Sequence, residues 1–390
     1  MFAPGVFFLY SAGLVLGLVI VSVAAASAVL TGPLGLSPVA YGALFIPFDF
    51  FAAAGAIGGG GWAHRLGLRR LLVLALLAAA GSQGALAAAS AFPGAAGALA
   101  FVAASLVGLA AGLSAAPMNT WPQVMFPRHR DAAVVMIHTL MTLGLAGGPL
   151  LVAAALGLGH FALAPLVLLV ACLVFMALTS RQNLPATPAH AHSTSAQAAR
   201  PVRRLTFWLF LATTFLYAVS EAALANWGVL FVEVEKGFPA ATASLALAAF
   251  WAALSLGRAS SSLLLRWVPA QHLWLVLPAF IAGALLLLPR AQTPSQVLAG
   301  FALAGLACSA HYPLTMSLAS ARFPTHVAWT TGMLFAANAT GAGVGSALLG
   351  WLYATHSLSQ LYRLAAMASM VALVMGIWLV ARRPSATASS

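Results

Sequence analysis

Two carboxylates stand where carboxylates are costly. Asp49 sits in Ile46-Pro47-Phe48-Asp49-Phe50-Phe51, and Glu221 sits in Phe215-Leu216-Tyr217-Ala218-Val219-Ser220-Glu221-Ala222. Both lie deep inside long apolar runs. The chain holds only five acidic residues, and the other three, Asp131, Glu233 and Glu235, fall at the ends of such runs. An acid in the middle of a membrane span is expensive and marks an ion or substrate path by default. A carboxyl group kept from water holds its proton and releases it when water arrives. That is proton-coupling chemistry, so Asp49 and Glu221 are the candidate proton-binding residues. The plainer role for each is a structural acid hydrogen-bonded within its own half of the chain.

A second set of polar side chains shares those apolar runs. His138 and His311 can relay a proton or hydrogen-bond a solute. Asn119, Asn226 and Asn338 must find partners away from water, either on neighbouring helices or on a solute. Trp227 and Tyr312, with Trp121, Tyr217 and Trp251, offer ring faces for stacking, although such residues also populate helix contacts and membrane interfaces. The substrate-binding candidates are therefore Asn119, His138, Asn226, Trp227, His311, Tyr312 and Asn338. Each has a structural role as its alternative. Gln83 reads as structural.

The elements that must position these residues are helices in lipid. Apolar types make up 62% of the 390 residues and charged types 6%, against about 45–50% and about 25% in soluble domains. Mean hydropathy is +1.00. These figures exclude a soluble enzyme, a disordered chain and a disulfide scaffold. The apolar runs are too long for an outer-membrane barrel, whose strands alternate over short segments. Twelve segments are long enough to span: 5–30, 38–61, 69–91, 95–122, 132–156, 161–179, 205–232, 240–264, 271–289, 295–321, 328–354 and 360–381. The first reads as a retained helix, since it lacks a basic leader and a clear cleavage site.

Loop charges set the direction. With both termini in the cytoplasm, that side carries Arg65, Arg69, Arg70, Arg128, Arg130, Arg181, Arg200, Arg203, Arg204, Arg258, Arg266, Arg322, Arg382 and Arg383. The other side carries Lys236, Arg290 and Arg363. So strong a bias follows the positive-inside rule and supports an even number of spans. The same distribution argues against nucleic acid as a partner, because the net charge of +12 is scattered through short loops. The polar stretch 181–204 reads as a cytoplasmic linker between a first half, 1–180, and a second half, 205–381, with 382–390 as a short tail.

The halves resemble each other. A shift of 197 residues places Gly108-Leu109-Ala110 on Gly305-Leu306-Ala307, Phe126-Pro127 on Phe323-Pro324, and Gly144 on Gly341. Between 106 and 151 there are 11 identities in 46 positions, above the roughly one in ten that this biased composition gives by chance. Parallel six-helix repeats joined mid-chain match one transporter architecture, in which solute binds between the halves and one half rocks against the other.

The turn after the second span, Gly60-Gly61-Trp62-Ala63-His64-Arg65-Leu66-Gly67-Leu68-Arg69-Arg70, resembles the signature of the major facilitator superfamily. His64 stands where the family has an acid and Leu68 where it has a basic residue, so the charge latch of the family is altered here. The resemblance implies that Arg65, Arg69 and, near the end of the eighth span, Arg258 act as conformational-latch residues. Glu221 six positions before Trp227, Phe250-Trp251 followed by Gly257-Arg258, and His311-Tyr312-Pro313 resemble the fucose/hexose:proton symporter group. That likeness implies uptake of a sugar or related metabolite with protons.

The residues complicate the sugar reading. A hexose presents many hydroxyls, whereas deep polar side chains are few and aromatics many. A proton-driven exporter of amphipathic compounds is therefore an alternative. An organic-anion transporter ranks lower for want of deep Arg or Lys pairs. A non-transporting sensor is the remaining class, disfavoured by the short linker and tail.

Enzymatic chemistry has no support. Gly58-Gly59-Gly60-Gly61 lacks the lysine of a phosphate loop, and no G-x-S-x-G motif is present. Cys172 and Cys308 have no metal spacing, and His190 and His192 read as solvated linker residues. The expectation is an all-α, twelve-helix secondary transporter of a bacterial-type inner membrane, monomeric, without cofactor or metal. Its partners are a small-molecule substrate, protons and the lipid bilayer.

Overall fold

The computed structural model describes residues 4–179, 181–182, 184–185 and 204–381. All regular structure among them is helical. Six helices form the first half: α1 (Pro4–Ile20), α2 (Phe45–Leu66), α3 (Leu68–Ala91), α4 (Ala96–Met125), α5 (Arg130–Gly157) and α6 (Leu163–Thr179). The second half holds α7 (Leu205–Ala225), α8 (Ala240–Leu264), α9 (Ala270–Leu287), α10a (Pro294–Cys308) with α10b (His311–Arg322), α11 (Val327–Leu352) and α12 (Leu358–Ala381). Among the described residues, ten helices are long and apolar enough to cross a membrane. The apolar segments Gly5–Ile20 and Leu163–Thr179 are shorter, and the first is continued by the short helices Ser22–Ala25 and Ser27–Thr31. Together they complete a twelve-helix fold.

Local chemistry fixes several ends. The Ser37 hydroxyl accepts from the Ala40 N–H, and Pro38 opens the helix Pro38–Ala43 that leads into α2. Thr293 and Gln296 form a reciprocal capping box at α10a, again with proline in the first turn. Between α2 and α3 the chain reverses through Gly67 at φ 79°, a backbone that side-chain-bearing residues rarely adopt.

Lipid offers helices no hydrophobic reason to associate, so close backbone packing must do it. A Cβ on Gly144 would lie 2.2 Å from the Leu14 carbonyl of α1, and one on Gly341 would lie 2.5 Å from the Phe215 carbonyl of α7. Likewise a Cβ on Gly108 would meet the Phe48 carbonyl of α2 at 2.0 Å, and one on Gly305 the Phe250 carbonyl of α8 at 2.1 Å. Both glycine pairs are 197 residues apart. The repeat in the sequence is thus a repeat of helix crossings: α1 on α5 as α7 on α11, and α2 on α4 as α8 on α10a. Large apolar side chains such as Phe7, Ile57, Trp267 and Val374 point outward, as an apolar surround requires.

Four expected spans are interrupted, the second of them at Leu44, between Pro38–Ala43 and α2. The first turns at Val21 and Ala26, where the Ser22 hydroxyl accepts from Gln83 Nε2 at 2.9 Å. The seventh ends at Ala225, because Asn226 spends its groups across helices: its side chain donates to Ser346 Oγ at 2.8 Å and its carbonyl accepts from Tyr41 Oη at 2.5 Å. The tenth breaks at Ser309–Ala310. Pro313 lacks the N–H that would reach back to the Ser309 carbonyl.

The two halves meet through α2 with α11 and α5 with α8. At the end away from the linker this seam is tight. A Cβ on Gly42 would lie 2.5 Å from the Ser346 carbonyl, and one on Gly350 2.5 Å from the Pro38 carbonyl. Tyr41 packs edge-on against Trp227 at 5.0 Å, and Trp227 against Tyr353 at 6.0 Å. The molecule is closed there. At the other end, Arg69 Nη2 donates to the Gln182 carbonyl at 2.7 Å and Trp121 Nε1 to the Pro185 carbonyl at 3.1 Å, so the start of the linker lies on the first half.

Candidate functional site

Seven residues beyond Gly42, about 10 Å along the helix, α2 presents Asp49 to the second half. Its Oδ2 would be 3.1 Å from a Cβ on Gly343 of α11, so the carboxyl stands close against that helix. From α7, Glu221 enters the same space. Both carboxylates line one cavity of about 150 Å³, with Phe45, Phe48, Asn226 and Trp251 among its walls. The two acids are within electrostatic reach of each other. Arg258 of α8 is within reach of Glu221 and is exposed on its outer side.

Glu221 is held by its own helix and by the broken one. Tyr217 Oη, one turn before it, lies 3.0 Å from Glu221 Oε1 and 2.9 Å from the Cys308 carbonyl at the end of α10a. Arg258 Nε donates to the next carbonyl, Ser309, at 3.2 Å. Side chains of α7 and α8 thus serve carbonyls at the break in the tenth span. Beyond Tyr217, the His311 ring is stacked between Tyr217 at 4.9 Å and Trp274 at 5.6 Å. It is 1% exposed, and neither ring nitrogen has a hydrogen-bond partner.

The other expected site residues fall elsewhere. His138 Nε2 and Asn119 Oδ1 are 3.0 Å apart, joining α5 to α4 inside the first half. Asn119 Nδ2 also donates to the Ala115 carbonyl. Trp227 is fully buried in the seam at the closed end and is not part of the cavity wall. The buried Tyr312 hydroxyl and Asn338 Oδ1 have no partner and do not line this cavity. Arg65 is exposed near the end of α2. The side chains of His64 and Asp131, the linker residues His190 and His192, and the tail lie outside the described residues. Among the described residues no three His, Cys, Asp or Glu side chains gather as metal ligands would.

Several contributors give little signal in the sequence. Phe45 and Phe48 precede Asp49 by four residues and by one, inside an apolar run that hides them. Tyr41 offers only a hydroxyl near a helix start. Tyr217 precedes Glu221 by four residues, the spacing at which helix neighbours touch. Its second contact, to Cys308, crosses 91 residues and is not written in any local pattern.

A family model described as the major facilitator superfamily matches residues 7–293, which is 287 of the 390 positions. No curated protein sequence matches the chain. Among solved structures, the crystal structure of a mutant of the nucleoside transporter NupG is similar with a TM-score of 0.79 and 12% identity, covering 96% of this chain and 100% of that one. At that identity the likeness speaks for the fold. The twelve helices, the seam between repeated halves and the family match agree: the chain belongs to the major facilitator superfamily.

Proposed function

We propose that this secondary transporter couples the movement of a small organic solute to protons bound at Asp49 and Glu221. The observation that carries the reading is their convergence: two of five acids, from opposite halves, line one small cavity at the seam. Rocking of one half against the other changes the water access and the spacing of both groups together. The bias of Arg to one side supports a linker end in the cytoplasm and a bacterial-type inner membrane.

For the solute, the cavity wall favours a compact amphipathic molecule. Phe45, Phe48 and Trp251 supply ring faces, while Asn226 and the two carboxyls are its polar side chains. A flat or apolar face with one or two polar groups matches that wall. A hydroxyl-rich hexose, the solute of the symporter group the sequence resembles, ranks second, because each buried hydroxyl needs a partner. The solved structure of similar fold is that of a nucleoside transporter, and a nucleoside combines an aromatic face with a polar ring.

The test is reconstitution in liposomes with an internal pH dye and no imposed gradient. Hexoses, deoxyhexoses, nucleosides, small acids and amphipathic amines are added in turn. The expected result is solute-induced proton movement with one class, lost in Asp49→Asn or Glu221→Gln while solute counterflow persists. Uphill, pH-dependent transport retained in both variants would refute the assignment.

A further inference from the structure

The Tyr217 hydroxyl carries one proton and stands between two groups that accept. The Cys308 carbonyl can only accept, and Glu221 can donate only when protonated. Both contacts are short, 2.9 and 3.0 Å. They are satisfied together when Glu221 gives its own proton to Tyr217 Oη and Tyr217 gives its proton to the carbonyl. A protonated Glu221 is the state that satisfies both contacts at once. On ionisation, the proton leaves Glu221 for water in the cavity. The carboxylate then becomes the stronger acceptor for the Tyr217 proton, and the Cys308 carbonyl loses its donor.

That carbonyl sits at the joint where the tenth span is broken. The neighbouring carbonyl, Ser309, has lost its helical donor to Pro313 and depends on Arg258. The joint is thus maintained from outside by α7 and α8. Broken helices at transporter midplanes place backbone carbonyls at coupling sites. Here the link from proton to backbone passes through one hydroxyl.

We propose that Tyr217 is a positioning residue that converts the protonation of Glu221 into closure of the α10a–α10b joint: protonated, the joint is tied to α7; ionised, it is released. This rests on Glu221 being a proton-binding residue. The titratable and charged groups around Glu221 are Asp49 from α2, Arg258 from α8, Cys308, His311 and Tyr312 around the joint, and Tyr217 itself. On the α12 side, Ser220 meets the neutral Ser369 hydroxyl at 2.8 Å.

Cys308 reports the joint directly, because it is fully buried while the joint is closed. In a Cys172→Ser background, alkylation of Cys308 by N-ethylmaleimide is followed in the parent, Glu221→Gln and Tyr217→Phe. Each rate is divided by that of Glu221→Gln at the same pH, which removes the pH dependence of the reagent and of the thiol apart from the field of Glu221 itself, and that field opposes the expected rise. The glutamine amide can donate to Tyr217 as the protonated acid does. The parent ratio should rise about tenfold from acid to alkaline pH, the scale of one charge-assisted hydrogen bond. Tyr217→Phe keeps the ring over His311 and removes the hydroxyl; its ratio should be high and independent of pH.

A parent ratio near one throughout overturns the proposal and needs no Tyr217 variant. A Tyr217→Phe profile like the parent's overturns it as well. Proton movement measured on Glu221→Gln with the pH dye separates the two readings. If it is lost while the labelling fails, the joint device falls alone. If it persists, the proton site falls too.

Discussion

Replacing Gly42 by alanine sets a methyl group against backbone in the closed seam. The added Cβ would be 2.5 Å from the Ser346 carbonyl, 3.1 Å from the Gly350 Cα and 3.1 Å from Trp227 Cζ2. The carbonyl cannot rotate away as a side chain can, so α11 must retreat by about 1 Å or the seam must open. Overpacking of this kind costs about 1–3 kcal/mol. The clash is between halves and vanishes when they separate at that end. The whole cost therefore falls on the closed conformer, and the ratio of open to closed should rise about 5- to 150-fold. Spin labels at Gly94→Cys in the first half and Thr355→Cys in the second, with both native cysteines replaced by serine, would report the separation. Gly97→Ala is the control, since nothing lies within 4 Å of its added Cβ. The expected outcome is a longer-distance population in Gly42→Ala that is absent from the control. A distance distribution unchanged by Gly42→Ala, in protein that remains folded, would refute the reasoning.

Three further outcomes follow from other contacts. Gly305→Ala drives a Cβ to 2.1 Å from the Phe250 carbonyl within one half, where rocking offers no relief; it should lower stability by about 3 kcal/mol or more, read as a loss of folded protein in thermal melts. Trp251→Ala removes a ring from the cavity wall and should raise the KM of the transported solute about tenfold, with Trp251→Phe recovering most of it in the same liposome assay. Glu235 accepts from both the Ser359 N–H and its hydroxyl, tying the end of the seventh span to α12. Glu235→Ala should cost about 1–3 kcal/mol and speed hydrogen exchange at the start of α12, while Glu235→Gln should cost less.

The helix count is legible because hydropathy and loop charge report the same alternation independently. The acids are legible because rarity in an apolar run is itself a signal. Their meeting in one cavity is not, since Asp49 and Glu221 lie 172 positions apart and nothing local relates them. Glycine spacing announces a repeat, and the structure shows the reason: at each repeated glycine, a backbone carbonyl of the facing helix lies where a methyl group would stand. Aromatics are harder. Trp227 and Trp251 look alike in sequence, yet the first fills the seam and the second faces the cavity. The difference comes from the turn at Asn226, which tertiary hydrogen bonds to Tyr41 and Ser346 impose. Arg258 reads from sequence as a latch at a helix end. The structure turns its Nε toward the Ser309 carbonyl, a partner exposed only because Pro313 breaks the tenth span.

The offset of 197 that carries each glycine crossing onto its twin does not carry the acids. Asp49 maps to Ala246, and Glu221 maps to Ala24, itself a residue of the cavity wall. The glycine crossings of this molecule are duplicated, but its deep acids are not. Because the repeats run parallel, their symmetry exchanges the halves and leaves each end of the molecule on its own side of the membrane; the halves are alike in their crossings and unlike in their buried acids. Each half therefore brings to the shared cavity a carboxyl that its twin lacks, and the site exists only where the two unlike surfaces meet.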